Sequence, residues 1–166
     1  RIAMRIAAGR KLKVGHAGTL DPLATGLLII AYGPFTKKLP YITDEGKTYT
    51  GTLTLGSVTP TYDLESTPEP FGPWEQLDEA TIRAAFGQFK GEMLRRPPNF
   101  SAERFEGERA YWLARDVERA HLVEIPARSV LINSLDVLAI RGPEVDFVVD
   151  VGKGTYIRSL AHDIGN

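Results

Sequence analysis

Two hydrophobic periods, one of two residues and one of 3.6, divide this chain into candidate strands and helices. The stretch Thr48-Tyr49-Thr50-Gly51-Thr52-Leu53-Thr54-Leu55 alternates and is rich in threonine, which predicts a strand. Val130 to Ile140 and Val145 to Val151 read as two more, the second alternating less cleanly. Leu27 to Tyr32 is wholly apolar and closed by Gly33-Pro34, the pattern of a short buried strand. Helical spacing places Ile82, Ala85, Phe86 and Phe89 on one face behind Asp78-Glu79. Shorter helices are predicted over Ile2 to Ala8 (stopped by Gly9), Phe35 to Ile42, Gly107 to Arg115, and Thr155 to Ile164, the last entered from Gly152-Lys153-Gly154. Four prolines and two glycines in residues 56–77 predict a long excursion, and Pro97-Pro98 separates two extended pieces. Strands and helices follow no βαβ rhythm, which favours an α+β fold.

Composition narrows the picture little, and charge distribution changes it more. With 166 residues, 43% of them apolar and 25% charged, the chain can form one ordinary domain or two small lobes sharing a sheet. The absence of cysteine excludes disulfides, thiolate metal sites and cysteine nucleophiles, and fits a reducing compartment. No apolar run approaches the roughly 20 residues of a membrane span, and no signal-peptide pattern opens the chain, so a cytoplasmic protein is expected. The net charge of −1 hides a gradient. The first 39 residues carry seven Lys and Arg against a single acid, Asp21, whereas residues 44–79 carry eight acids against Lys47 alone. A local basic segment can supply phosphate contacts, or it can be a solvated charged face.

Asp21 sits in Gly15-His16-Ala17-Gly18-Thr19-Leu20-Asp21-Pro22-Leu23-Ala24-Thr25-Gly26, where three glycines and a proline restrict the backbone. One reading is a turn in which Asp21 caps the next element. The other is a carboxylate held against a polyanion. His16, His121 and His162 are far apart and form no metal motif, and the glycines do not supply a Gly-x-x-x-x-Gly-Lys-Ser/Thr loop. There is one such Asp loop where an aspartic protease needs two, and no serine nucleophile elbow. What remains is a lone Asp as nucleophile or base, which requires a cationic partner to stay ionised in a confined site. Arg158, early in the last predicted helix, can supply a bidentate pair, or can be an ordinary surface arginine. Tyr49 can stack on a planar base, or can be a core tyrosine.

Taken together, these segments resemble the TruB-type tRNA pseudouridine synthases of bacteria. The resemblance begins in Gly15 to Leu28 and continues through Thr36-Lys37, Lys47-Thr48-Tyr49 and Leu55-Gly56-Ser57-Val58-Thr59-Pro60-Thr61-Tyr62-Asp63. It resumes at Arg96-Pro97-Pro98-Asn99-Phe100-Ser101-Ala102, at Gly107 to Arg115 and at Lys153 to Arg158. The blocks keep the family's order and cover almost the whole chain. The resemblance implies a pseudouridine synthase fold, a mixed, largely antiparallel sheet flanked by helices, with an RNA-binding cleft. It also implies a reaction, conversion of uridine to pseudouridine at position 55 of the tRNA T-loop after the base is flipped out, without cofactor or metal.

Residue by residue, the resemblance makes Asp21 the catalytic aspartate, Tyr49 the tyrosine stacked on the target base and Arg158 the arginine paired with the carboxylate. His16, Thr19, Leu20, Lys47 and Tyr156 become RNA contacts. The expected partner is the tRNA T-loop stem-loop, bound by a monomer with no role for a membrane. The chain departs from the family at Arg95, where Gln is usual, at Arg104, where Lys is usual, and at Ser66, where Gly is frequent. Segments the family carries before residue 1 and after residue 166, including a C-terminal PUA domain, are not in this sequence. Residues 1–166 are therefore expected to be an incomplete catalytic domain. The readings set against catalysis are a tRNA-binding folding chaperone and an inactive fragment of the synthase.

Overall fold

Val145, Phe147, Val149 and Val151 are almost wholly buried, and they alternate with Glu144, Asp146, Val148 and Asp150 on the opposite face. They belong to an inner strand of the main sheet in a computed structural model of the chain, which describes residues 12–101, 104–105, 108–115 and 125–166. In chain order the elements begin with β1 (Val14–His16), β2 (Ile30–Tyr32), a 3-10 helix (Gly33–Lys38), α1 (Leu39–Asp44) and β3 (Lys47–Thr54). They continue with β4 (Ser57–Val58), β5 (Glu69–Pro70), α2 (Glu79–Gly87), β6 (Gly91–Arg95), β7 (Arg104–Phe105) and β8 (Glu108–Arg109). The last are α3 (Ala110–Arg115), β9 (Arg128–Arg141), β10 (Glu144–Val151) and α4 (Ile157–Gly165). The chain divides into two compact units, Arg1–Glu45 and Gly46–Asn166.

The second unit is built on a four-stranded antiparallel sheet in the order β3-β10-β9-β6. The inward residues of β10 meet Leu53 of β3 and Ile132 and Leu135 of β9, and Ile82, Phe86, Leu160 and Ile164 from α2 and α4 complete that core. The Asp78 side chain accepts from Thr81 N at 2.7 Å, filling an orphan donor at the start of α2, and hydrogen bonding from the Thr81 side chain and then its backbone holds the carboxyl below the usual carboxylate range. The outer face of the sheet is polar: Asp150 takes Thr48 Oγ1 at 2.9 Å and Asn133 Nδ2 at 2.5 Å, and Asp146 takes Thr52 Oγ1 at 2.8 Å. Residues 56–77 make the expected excursion, tied by the small β4–β5 pairing.

Several expectations change, and the helix predicted over Phe35 to Ile42 is a 3-10 helix (Gly33–Lys38) running into α1 (Leu39–Asp44). Val145 to Val151 alternates cleanly; Val148, on the polar face, blurs the pattern in the sequence. The helix predicted from Gly107 starts at Ala110, because Glu108–Arg109 pairs with Arg104–Phe105 as a strand. The run Leu27 to Tyr32 is not a buried strand. Only Ile30–Tyr32 is extended, Leu27 is 88% exposed and Ile30 51%. A two-stranded ribbon, β1 with β2, offers no second layer to bury such a run. The helix predicted over Ile2 to Ala8 lies outside the described residues. No helix among the described residues is long and apolar enough to cross a membrane.

Gly51 on β3 faces the Phe147 ring so closely that an added Cβ would lie 2.9 Å from its Cζ. That ring is itself packed against Phe86, centroids 5.9 Å apart. Gly51→Ala is expected to destabilise the second unit by about 1–3 kcal/mol, the usual cost of overpacking. Urea denaturation would measure it, and an unchanged midpoint would show that the ring can move aside.

Candidate functional site

The first unit presents the Asp21 loop. β1 and β2 pair in antiparallel register, Gly15 opposite Ala31, and Ala17 N donates to Ile29 O at 2.9 Å just beyond the pair. Gly18 at φ +133° and Gly26 at φ +146° occupy backbone regions that a side chain disfavours. Ala24 N donates to Asp21 O at 3.0 Å, so Asp21 and Pro22 open a turn, with Asp at the position that turns favour. No helix follows this turn, and the next helical residue is Gly33, so Asp21 is not a helix cap. Asp21 and Leu20 are half-buried, while His16 and Thr19 are exposed. His16 Nδ1–H donates to Gly18 O, which ties the ring to the loop.

The second unit holds the other predicted residues. Lys47 and Tyr49 lie on the core-side face of β3, opposite Val151 and Val149, and Tyr49 packs at the margin of the core. Tyr156 occupies the N-cap position of α4, with its carbonyl accepting from Leu160 N at 3.1 Å. The bend into that helix uses Gly154 at φ +78° and a hydrogen bond from Thr155 Oγ1 to Gly152 O at 3.1 Å. The helix begins at Ile157, two residues later than predicted, so Arg158 stands in its first turn. A cation there opposes the helix dipole and requires acceptors. Arg158 finds them: Nη1 donates to Thr61 O at 2.9 Å, Nη2 to Phe100 O at 3.2 Å, and Nε lies 3.6 Å from Asp63 Oδ2. Both side chains of the ion pair are largely buried, 12% and 16% exposed.

The structure therefore brings Tyr156 and Arg158 to one helix entry, and Lys47 and Tyr49 to one face of β3. Asp21, His16, Thr19 and Leu20 lie in the other unit. Three further residues join the helix entry, Tyr62 and Asp63 from the end of the Leu55-to-Asp63 block of the family resemblance and Ser66 just beyond it, though nothing local assigns them a role in a site. They belong to the excursion, where acidic and small residues read as solvated loop. Ser66, the departure from a frequent Gly, helps to close this loop, since its Oγ lies 2.6 Å from Thr61 Oγ1 and accepts from Thr61 N at 3.3 Å. His162 has a usable signal, because it lies four residues from Arg158 and so on the same helix face. Among the described residues, no cluster of His, Asp and Glu is placed to hold a metal ion.

Tyr62 stacks on His162, ring centroids 3.9 Å apart and planes 13° from parallel. Burial pushes the Tyr62 phenol above its ordinary value of 10.0, and the nearby Asp163 carboxylate adds to the shift. Because the fold raises this pKa, the associated stability is fully present below pH 10.0 and is lost as pH rises through the folded value. Absorbance at about 295 nm should show a tyrosine component ionising above pH 10.0, and Tyr62→Phe should remove that component. A titration identical in the variant would contradict the assignment.

Against known proteins, residues 5–157 match the family described as TruB family pseudouridylate synthase, N-terminal domain. The tRNA pseudouridine synthase B of Flavobacterium johnsoniae is 46% identical over 161 residues, covering 97% of this chain and 69% of that protein. Its namesake in Phocaeicola vulgatus is 44% identical over 156 residues, covering 94% of this chain and 65% of that protein. Among solved structures, a chain in the crystal structure of a Cbf5-Nop10-Gar1 complex aligns with a TM-score of 0.68 at 29% identity, covering 99% of this chain and 38% of its own length. This sequence thus spans about two thirds of those curated relatives and under two fifths of the solved chain. With the family matched over nearly all of its residues, on an α+β fold shared with a Cbf5 structure, the chain belongs to the TruB family of pseudouridylate synthases.

Proposed function

We propose that the protein converts uridine to pseudouridine at position 55 in the T-loop of tRNA, acting in the cytoplasm as a monomer without metal or cofactor. The observation that carries this reading is the family match over residues 5–157, which takes in the Asp21 loop, Tyr49 and the helix entry as far as Ile157, the residue before Arg158. Identity of 46% to a tRNA pseudouridine synthase B, against 29% to the chain of the Cbf5-Nop10-Gar1 complex, favours tRNA as the substrate. The reaction is an isomerisation. The bond from ribose C1′ to N1 breaks, the uracil turns in place, C1′ bonds to C5, the C5 proton leaves and N1 gains one.

In this proposal Asp21 is the nucleophile that lets the glycosidic bond break, and its turn holds the carboxylate in place for a base flipped out of its stack. Tyr49 stacks on that base and takes part in proton removal. Arg158 is the counter-ion of Asp21. His16, Thr19, Leu20, Lys47 and Tyr156 line the RNA-binding cleft. The direct test is incubation with a T-loop stem-loop labelled with tritium at uridine C5, since product formation must release that hydrogen to water. Tritium release and a pseudouridine peak in the nucleoside digest are expected. Tight binding of the RNA with no release would favour a chaperone or an inactive piece of the synthase.

A further inference from the structure

Arg158 and His162 project from the same face of α4, one turn apart, and both reach the same loop. Thr61 gives its carbonyl to Arg158, Tyr62 its ring to His162, and Asp63 its carboxylate to Arg158. Three consecutive loop residues are thus held by two side chains of one helix. Tyr62 is also the one non-glycine residue at positive φ, +59°, among those described. A bulky residue adopts that conformation only where its surroundings hold it there. Inside the loop, Tyr62 N donates to Thr59 O at 3.1 Å and Glu65 N to Asp63 Oδ1 at 3.0 Å, so the strained residue is fixed directly beside the carboxylate that faces Arg158. The imidazole is held in turn: Asn166 Nδ2 donates to His162 Nε2 at 3.1 Å and to His162 O at 2.9 Å. One residue on, Asp163 pairs with Arg95 Nη1 at 2.9 Å, which ties α4 to β6.

We propose that His162 is a positioning residue: by stacking on Tyr62 it clamps the loop of residues 59–66 to α4, and so keeps Arg158 in the orientation in which it serves the reacting uridine. This rests on the proposed synthase activity, in which Arg158 is the counter-ion. His162 itself touches neither RNA nor the reacting atoms. The stack supplies the contact that offsets the unfavourable backbone of Tyr62. Without it the loop relaxes, Asp63 leaves Arg158, and the guanidinium samples several orientations.

The test uses four variants in the tritium-release assay, with amide hydrogen exchange over residues 59–66 read in parallel. His162→Ala removes the stack, and His162→Phe restores an aromatic face. Tyr62→Gly removes the ring while accepting the positive φ, and Tyr62→Phe keeps the ring. His162→Ala and Tyr62→Gly are expected to lower kcat about tenfold with KM within twofold, and to speed exchange in the loop about tenfold. His162→Phe and Tyr62→Phe are expected to stay within twofold of the parent in both readouts. An unchanged kcat in His162→Ala, a change confined to KM, or failure of His162→Phe to recover would each overturn the proposal. Should the parent protein release no tritium, the synthase reading fails separately, and exchange alone decides the clamp: acceleration in His162→Ala supports it, and unchanged protection overturns it.

Discussion

Asp21→Asn is expected to lower the rate of pseudouridine formation by at least about four orders of magnitude, the scale on which loss of a central catalytic side chain is felt in other enzymes. The substitution is chosen because it changes little else. Asparagine has the shape of aspartate and is as well suited to the first position of a turn, and the hydrogen bond that closes this one runs between backbone atoms, Ala24 N to Asp21 O. The glycines at positive φ on either side, Gly18 and Gly26, are untouched. The variant should therefore fold, keep the loop and bind the T-loop stem-loop within about threefold of the parent, while lacking the anion that attacks. An equal fall in kcat and kcat/KM would mark an interaction made only during reaction. Tritium release at saturating and at sub-saturating RNA gives the two quantities, and RNA binding measured on the same preparation checks that affinity is kept. Residual activity within tenfold of the parent would remove Asp21 from the nucleophile's role.

The second large effect is at Arg158, and it should appear in stability as well as in rate. Its guanidinium serves Thr61 O, Phe100 O and Asp63 from a position with little solvent. Arg158→Met fills a similar volume but leaves two carbonyls without that donor and a largely buried carboxylate without its partner. Breaking a buried pair in this one-sided way costs about 3–5 kcal/mol, much more than a surface ion pair contributes. Loss of the proposed counter-ion should also slow the reaction by about 10²–10³-fold, comparable to removing one preorganised donor elsewhere. Arg158→Lys keeps the charge but not the planar fork, so it should fall between the parent and the methionine variant in both measurements. A double-mutant cycle with Asp63→Asn would show coupling above about 0.5 kcal/mol if the two side chains act together. Parent-like melting and parent-like rates in Arg158→Met would show that this helix entry is not where the substrate is held.

Much of the second unit is legible from residue order alone. β3, β9, β10 and α2 fall where periodicity places them, because a period of two or 3.6 reflects which residues one element turns toward its neighbour. The misread pieces share a cause. Val148 is apolar but lies on the polar face, so composition and position disagree at that one residue. Glu108 and Arg109 read as helix because nothing local announces a two-residue pairing with Arg104 and Phe105. At the candidate site, the turn of Asp21 and the bend before α4 are readable, because Gly, Pro and Asp impose backbone geometry locally. Arg158 stands out from its motif, and Thr61, Asp63 and Phe100 lie in other blocks of the family resemblance, yet nothing local pairs them with it.

Residue order is thus sufficient for the inward positions of each long strand, the rigid loop that carries Asp21, the glycine-led entry to the last helix and the family to which those motifs belong. It took the folded chain to reveal that Arg158 is served by a carbonyl 97 residues away and by Asp63, that Tyr62 adopts a left-handed backbone and stacks on a ring of α4, and that Leu27 and Ile30 stay exposed. The difference is one of range. Turn chemistry and periodicity are set by bonded neighbours within a few residues, whereas the partner of a charge or the cover of an apolar run depends on the order in which distant strands pair and on where helices dock across them.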